Sequence, residues 1–231
     1  MTARAPTLVV IGGGEVGERY VRQLVRAAAS GRLETERIVV VDRDPGCAAR
    51  IHDDPRLRFD VADWSEWLDA NLDRCGPDDH VVPYHWAPHL FLDWLRRQLD
   101  RAGATARTGG EWPRRGTPYE GATSAGDRAL SYATWPCPPM CIEPALCPHT
   151  RGAKDWSLAA DLSSARADED FDGHVVFRCL HFVYGVGTTP VGEVLAARDR
   201  LVAGLRAGRR RYLVSTSSHC HALATPLTVG A

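Results

Sequence analysis

Residues 7–17 read TLVVIGGGEVG, and this stretch decides the fold. Thr7 to Ile11 is a β-branched, apolar run with the length of one buried strand. It runs straight into Gly12-x-Gly14-x-x-Gly17, and an amphipathic segment follows at once. Glycine at 12 and 14 permits a tight turn and close backbone approach to a pyrophosphate, and Gly17 lets helix and strand pack closely. The N-terminus of the helix that opens here offers unpaired N–H groups and a positive dipole end to phosphate. Downstream, RIVVVD (37–42) predicts a second buried strand ending in a carboxylate, Asp42, placed to hold a ribose hydroxyl.

A glycine turn also serves ordinary tight turns; the order strand, turn, helix, strand, acid is what points to a dinucleotide. The expected cofactor-binding residues are Gly12, Gly14, Glu15, Val16, Gly17, Asp42 and Arg43. Asp42 disfavours a 2′-phosphate and so favours NAD over NADP, whereas Arg43 could pair with such a phosphate and opposes that preference. Asp42 stands 25 residues after Gly17, beyond the usual interval of about 20. The connection SGRLETE (30–36) absorbs the excess.

The pattern continues in the same rhythm. A helix is predicted from Glu15 to about Ala29, with Val16, Tyr20, Val21, Leu24, Val25 and Ala28 on its apolar side. Leu57–Phe59 predicts a third strand. A helix capped by Asp63 or Ser65 follows, then a fourth strand at His80–Pro83 and a long helix to about Ala102. This alternation implies an α/β fold: a doubly wound, mostly parallel Rossmann-like sheet whose ligands sit beyond the carboxyl ends of the strands. That rule places His85 and His89 beside a cofactor's reactive end, unless they simply line the turn after the fourth strand.

From Thr108 to Thr134, glycine, proline, serine and arginine dominate without apolar period, which predicts an irregular crossing. It leads into WPCPPMCIEPALCPHT (135–150), where five prolines exclude helix and central strand. Cys137, Cys141 and Cys147, with His149 two residues on, read as a metal cage for zinc or an iron–sulfur cluster. The spacing is neither the paired C-x2-C of zinc ribbons nor the common ferredoxin run. A loop of small buried cysteines and a redox dithiol are the alternatives.

The remainder predicts a short helix in 153–163 and a strong strand from His174 to Tyr184. A glycine turn at 185–187, a helix from Pro190 to about Leu205 and a strand at Tyr212–Ser215 follow. These give a C-terminal βαβ extension, expected on the same sheet. The last strand delivers His219-Cys220-His221, which adds His219 and Cys220 to the candidate metal ligands and His221, with His85, to the candidate acid/base residues. The domains expected are therefore 1–107, dinucleotide-binding, and 108–231, the cysteine loop with its α/β extension.

Bulk properties set the class. Hydrophobic content of 44% and charged content of 25% are ordinary for a globular chain, and a net charge of −1 argues against nucleic acid as a partner. Lys154 is the only lysine, and it lies beside the cysteine stretch. No apolar run approaches the roughly 18 residues that span a bilayer. Seven cysteines without an export signal make a disulfide framework unexpected and a cytoplasmic location the default. A small-molecule substrate and a homodimer complete the expected partners.

The first hundred residues resemble the nucleotide-binding domains of potassium-uptake regulators. They are also similar to the NAD-dependent precorrin-2 dehydrogenase domain of siroheme synthesis, which shares a GGGxV turn. More of the chain resembles a set of uncharacterised prokaryotic Rossmann proteins. Those combine a GGGxxG turn, a C-x3-C-x-E-P-x2-C segment and a C-terminal Ser/Cys-x-Cys-His. Here these are Gly12–Gly17, Cys137–Cys147 with Glu143-Pro144, and Ser218–His221. The function expected is an NAD(H)-binding oxidoreductase with a Cys/His metal or iron–sulfur site near the cofactor crevice. A non-catalytic nucleotide or redox sensor and a tetrapyrrole- or metal-cofactor-processing enzyme are the alternatives.

Overall fold

All five residues of the apolar run 7–11 are buried in a strand, as a strand covered on both faces requires. The computed structural model describes residues 2–83, 89–123, 126–137, 141, 144, 146–164 and 170–230. The chain forms two units by contact: Met1–Leu90 with Leu180–Leu195, and Phe91–Cys179 with Ala196–Ala231.

The chain opens with β1 (Ala3–Arg4), β2 (Thr7–Ile11), α1 (Glu15–Ala29), β3 (Leu33–Glu34) and β4 (Arg37–Asp42). A 3-10 turn at Ala48–Ile51 precedes β5 (Leu57–Val61), α2 (Trp64–Asn71) and β6 (His80–Val82). Next come α3 (Leu90–Arg101), β7 (Thr105–Thr108), β8 (Tyr119–Ala122), β9 (Arg128–Ser131), α4 (Leu158–Ser164) and β10 (Gly173–Arg178). The last elements are β11 (Leu180–Val183), β12 (Val186–Pro190), α5 (Val191–Arg206), β13 (Arg211–Ser217) and β14 (His221–Gly230).

The first unit is built on a sheet of order β11-β12-β6-β2-β4-β5. Its four strands β6, β2, β4 and β5 are parallel, with Leu8 opposite both Ile38 and His80. Helix α1 buries Gly17, Val21, Leu24 and Ala27, and its side chains join Leu8, Val10, Ile38, Val40 and Val82 in one core. Beneath the sheet the buried carboxylate of Asp79 accepts from the Thr7 and Gly76 amides, both at 2.8 Å, and so pins the start of β2. The β11–β12 hairpin runs antiparallel onto β6. Its two turn residues, Tyr184 (φ 47) and Gly185 (φ 82), both have the positive φ that matches a two-residue turn to the strand twist.

The second unit holds a sheet of order β10-β13-β14-β9-β8, with β7 also on β14. Only β10 and β13 pair in parallel; the other ladders are antiparallel. Trp112, Leu130, Leu158, Leu162, Phe171 and Leu213 form its core, and the Arg128 guanidinium lies 4.0 Å over the Trp112 ring.

Among the described residues the fold is thus α/β with two six-stranded mixed sheets and the two-stranded parallel pair β1–β3, where the sequence predicts one mostly parallel sheet. The expected single strand 174–184 is two strands of different sheets. Its first half ends where the Cys179 amide donates to Ser217 at 2.9 Å, and Leu180 begins the hairpin on β12. An unbroken alternation cannot show a change of partner, because both sheets demand the same period of two. The stretch expected to be irregular carries β8 and β9 as a short hairpin on β14.

Candidate functional site

The glycine turn between β2 and α1 is closed by backbone. Gly12, at φ 86, donates to Val41 at 2.8 Å, Gly13 accepts from the Ala49 amide at 2.8 Å, and Gly14 accepts from Glu18 at 2.7 Å to start the helix. The three outer glycines differ sharply in what a β-carbon would meet. At Gly17 it would lie 1.8 Å from the Gly12 carbonyl oxygen, and at Gly13 2.5 Å from Cys47 Sγ. At Gly14, the N-cap of α1, it would meet nothing within 4 Å. Gly14 therefore borders open space at an uncapped helix N-terminus, where Glu15 is exposed and Val16 half-buried.

Asp42, at the carboxyl end of β4, accepts from the Gly13 amide at 2.6 Å and from the Asp44 amide at 2.9 Å. The bond to Gly13 joins the acid to the turn directly, and it makes Gly13 a member of the site that sequence spacing passes over. One lone pair on each carboxylate oxygen is left over. Arg43 is exposed, and its guanidinium pairs with Asp63, Nε at 2.8 Å. Asp63 also caps α2, accepting from Ser65 at 2.8 Å and Glu66 at 3.1 Å.

The Arg43 hydrogen bond, reinforced by the two cap amides against the cost of burial, holds the Asp63 carboxyl below the usual carboxylate range. A group with a depressed folded pKa contributes stability above its unfolded pKa, about 3.9, and loses it as pH falls through the folded value. Asp63→Ala is expected to cost about 1–2 kcal/mol at neutral pH. That deficit relative to the unchanged chain should shrink below about pH 4, as urea unfolding at both pH values would show.

Of the candidate acid/base residues, His85 lies outside the described residues; His89, expected beside it, is buried just before α3. His221 stands in the second unit, with the cysteines. Its Nε2 lies 3.4 Å from Cys137 Sγ and its Nδ1 3.0 Å from Ser131 Oγ. Ser131, at the end of β9, gives its hydroxyl proton to the Ala133 carbonyl at 2.7 Å and accepts from the Ala133 amide at 2.8 Å. A cavity of about 330 Å³ opens here, lined by Tyr119, Leu130, Ser131, Trp135 and His221.

The other thiols are held close by. Tyr132 donates its amide to the Cys220 carbonyl at 3.0 Å, and the Trp156 indole donates to Cys220 Sγ at 3.5 Å. Cys147 begins a tight loop in which its amide binds Gly152 at 2.9 Å and its carbonyl accepts from Arg151, at φ 58. The amide of Thr150, then its hydroxyl and the His149 amide, reach the Cys147 sulfur and hold that thiol below its ordinary range. Burial, and after it the charges of Cys141, Cys220 and Cys147, push the Cys137 thiol up, with Lys154 opposing.

His149 stacks on Trp135, with centroids 4.9 Å apart and planes at 6°, and the His219 carbonyl accepts from Leu158 at 2.9 Å. Among the described residues no three His, Cys, Asp or Glu side chains stand close enough, as they lie, to hold a metal ion. No helix among them is long and apolar enough to cross a membrane.

Residues 91–230 match the family model AF_1314_C, described as uncharacterized protein, C-terminal domain. The match begins at the residue where the second unit begins. No curated protein and no solved structure matches the chain.

Proposed function

From the premise that the chain belongs to the AF_1314_C family through residues 91–230, we propose that it is an NAD(H)-binding oxidoreductase whose first unit holds the dinucleotide. The observation that carries this reading is the bond from the Gly13 amide to Asp42, which couples the glycine turn to the acid at the end of the next strand. The strand order β6-β2-β4-β5 supports this reading, because a Rossmann sheet sets its first four strands in the order 4-1-2-3, with the glycine turn after the first. Pyrophosphate would approach at Gly14, where a β-carbon meets nothing, and take the N–H groups of the first turn of α1.

Ribose hydroxyls would donate to the spare lone pairs of Asp42. Pairing of Arg43 with Asp63 removes the cation that would otherwise welcome a 2′-phosphate, so NAD(H) is favoured over NADP(H). The resemblance of the first hundred residues to nucleotide-binding domains supports the same reading. The second unit, rich in thiols, supplies the redox-active or metal-binding part, and the substrate is a small molecule.

Calorimetric titration of the full chain tests this. NAD(H) should bind about tenfold or more tightly than NADP(H), because each 1.4 kcal/mol of differential contact is a factor of ten. Failure of the folded protein to bind either nucleotide overturns the reading, and binding without turnover of any NADH-linked electron acceptor moves it to a sensor.

A further inference from the structure

We propose that Cys137 and His221 are two ligands of one tetrahedral transition-metal site of the zinc type, completed by thiolates drawn from Cys141, Cys147 and Cys220. The site lies wholly in the second unit and does not depend on nucleotide binding in the first.

Proton accounting fixes the histidine. The single hydroxyl proton of Ser131 goes to the Ala133 carbonyl, and the Ala133 amide occupies one of its lone pairs. Its remaining lone pair accepts Nδ1–H of His221, which leaves the Nε2 lone pair facing Cys137 Sγ. This is how a metal-ligating imidazole is set: one nitrogen donates to a fixed oxygen and the other is presented to the ion. The spacing agrees. Metal–sulfur and metal–nitrogen distances of about 2.3 and 2.0–2.1 Å at a tetrahedral angle give a ligand–ligand edge of about 3.6 Å. The two atoms stand 3.4 Å apart.

Contacts that do not involve sulfur tie the segments carrying the other thiols to the segment of this pair, and a bound metal would draw those thiols onto it. The Trp135–His149 stack joins the segment before Cys137 to the loop after Cys147, and the Tyr132–Cys220 bond ties the turn before β14 to the end of β9. One donor is aimed at a sulfur: the Trp156 indole, which can only donate, points at Cys220. N–H donors on sulfur favour thiolate over thiol. Thiolate and imidazole together select zinc or ferrous iron over magnesium or calcium, and binding releases the thiol protons to solvent.

The test is metal analysis of the full chain purified without oxygen, followed by chelation and titration with cobalt(II). About one zinc or iron per chain is expected, and cobalt should give thiolate charge-transfer and tetrahedral ligand-field bands. Cys137→Ser and His221→Ala should each weaken cobalt binding about 100-fold or more, and Ser131→Ala about 10-fold, as removal of an outer partner does. His149→Ala and His219→Ala should leave it unchanged. His221→Gln serves if the alanine variant does not fold. Absence of metal and of cobalt binding in the folded chain overturns the proposal. So does cobalt binding that survives loss of Cys137 or His221, or iron with acid-labile sulfide, which marks a cluster in place of a single ion. Nucleotide affinity should be the same with and without metal, so either proposal can fail alone.

Discussion

Gly17→Ala is expected to destabilise the first unit by about 4 kcal/mol or more, while Gly14→Ala leaves its stability within about 1 kcal/mol. The two glycines belong to one motif and differ in what surrounds them. At Gly17 a β-carbon would sit 1.8 Å from a carbonyl oxygen whose residue is itself fixed, because Gly12 donates to Val41 and holds a positive φ. Relief would need α1 to lift from β2, which opens the core of Val10, Val21 and Leu24. Overpacking against side chains costs about 1–3 kcal/mol, and immobile backbone lies beyond that range. At Gly14 the backbone has φ −65 and ψ −165, which alanine adopts, and the space is open. The same methyl group would occupy the space proposed for the pyrophosphate, so Gly14→Ala should lower NAD(H) affinity about tenfold or more while the unfolding midpoint stays put. Urea unfolding followed by far-ultraviolet circular dichroism, with nucleotide titration of the folded variant, separates the two. Unchanged affinity in Gly14→Ala would remove the phosphate from this turn.

How much of this was legible depends on how local its cause is. β2, α1, β4 and the cap at Asp63 follow from short-range signals: a β-branched run, helical spacing, an acid two residues before the amide it caps. The partition into two sheets did not follow, because strand pairing is a long-range property. β14, the longest of the described strands, reads HALATPLTVG, in which Ala224, Thr225, Pro226 and Leu227 are all buried, so no alternation of apolar and polar residues marks it as a strand. Its partners on both sides supply the pattern that its own side chains lack.

The candidate sites divide in the same way. Gly12, Gly17 and Asp42 announce themselves by spacing. Gly13 does not, because its requirement comes from Cys47 and Asp42, distant in sequence. Likewise Cys137 was legible as a cysteine in a proline-rich loop. Its contact with His221, 84 residues away, depends on the β9–β14 pairing that sets Ser131 opposite His221.

Asp42→Ala is expected to lower NAD(H) affinity about 100-fold or more and to cost about 1–3 kcal/mol of stability, two effects with separate origins. The stability loss comes from the Gly13 and Asp44 amides, which lose a charged acceptor at 2.6 and 2.9 Å in a half-buried setting where water replaces it only in part. The affinity loss comes from the two ribose hydrogen bonds, charge-assisted and each worth about 1.5 kcal/mol or more. NADP(H) should weaken far less, because the variant also removes the charge that repels a 2′-phosphate, so the preference between the two nucleotides narrows. Asp42→Asn keeps one of the two acceptors: its amide oxygen can still accept from Gly13 while its NH2 group faces the Asp44 amide, so part of the stability loss should remain while the preference for NAD(H) narrows. Asp63→Ala approaches the same discrimination from the other side. It frees Arg43 from its partner without touching Asp42, and should strengthen NADP(H) binding alone. If Asp42→Ala folds and binds NAD(H) as before, the acid serves only the two amides, and the turn is a structural device.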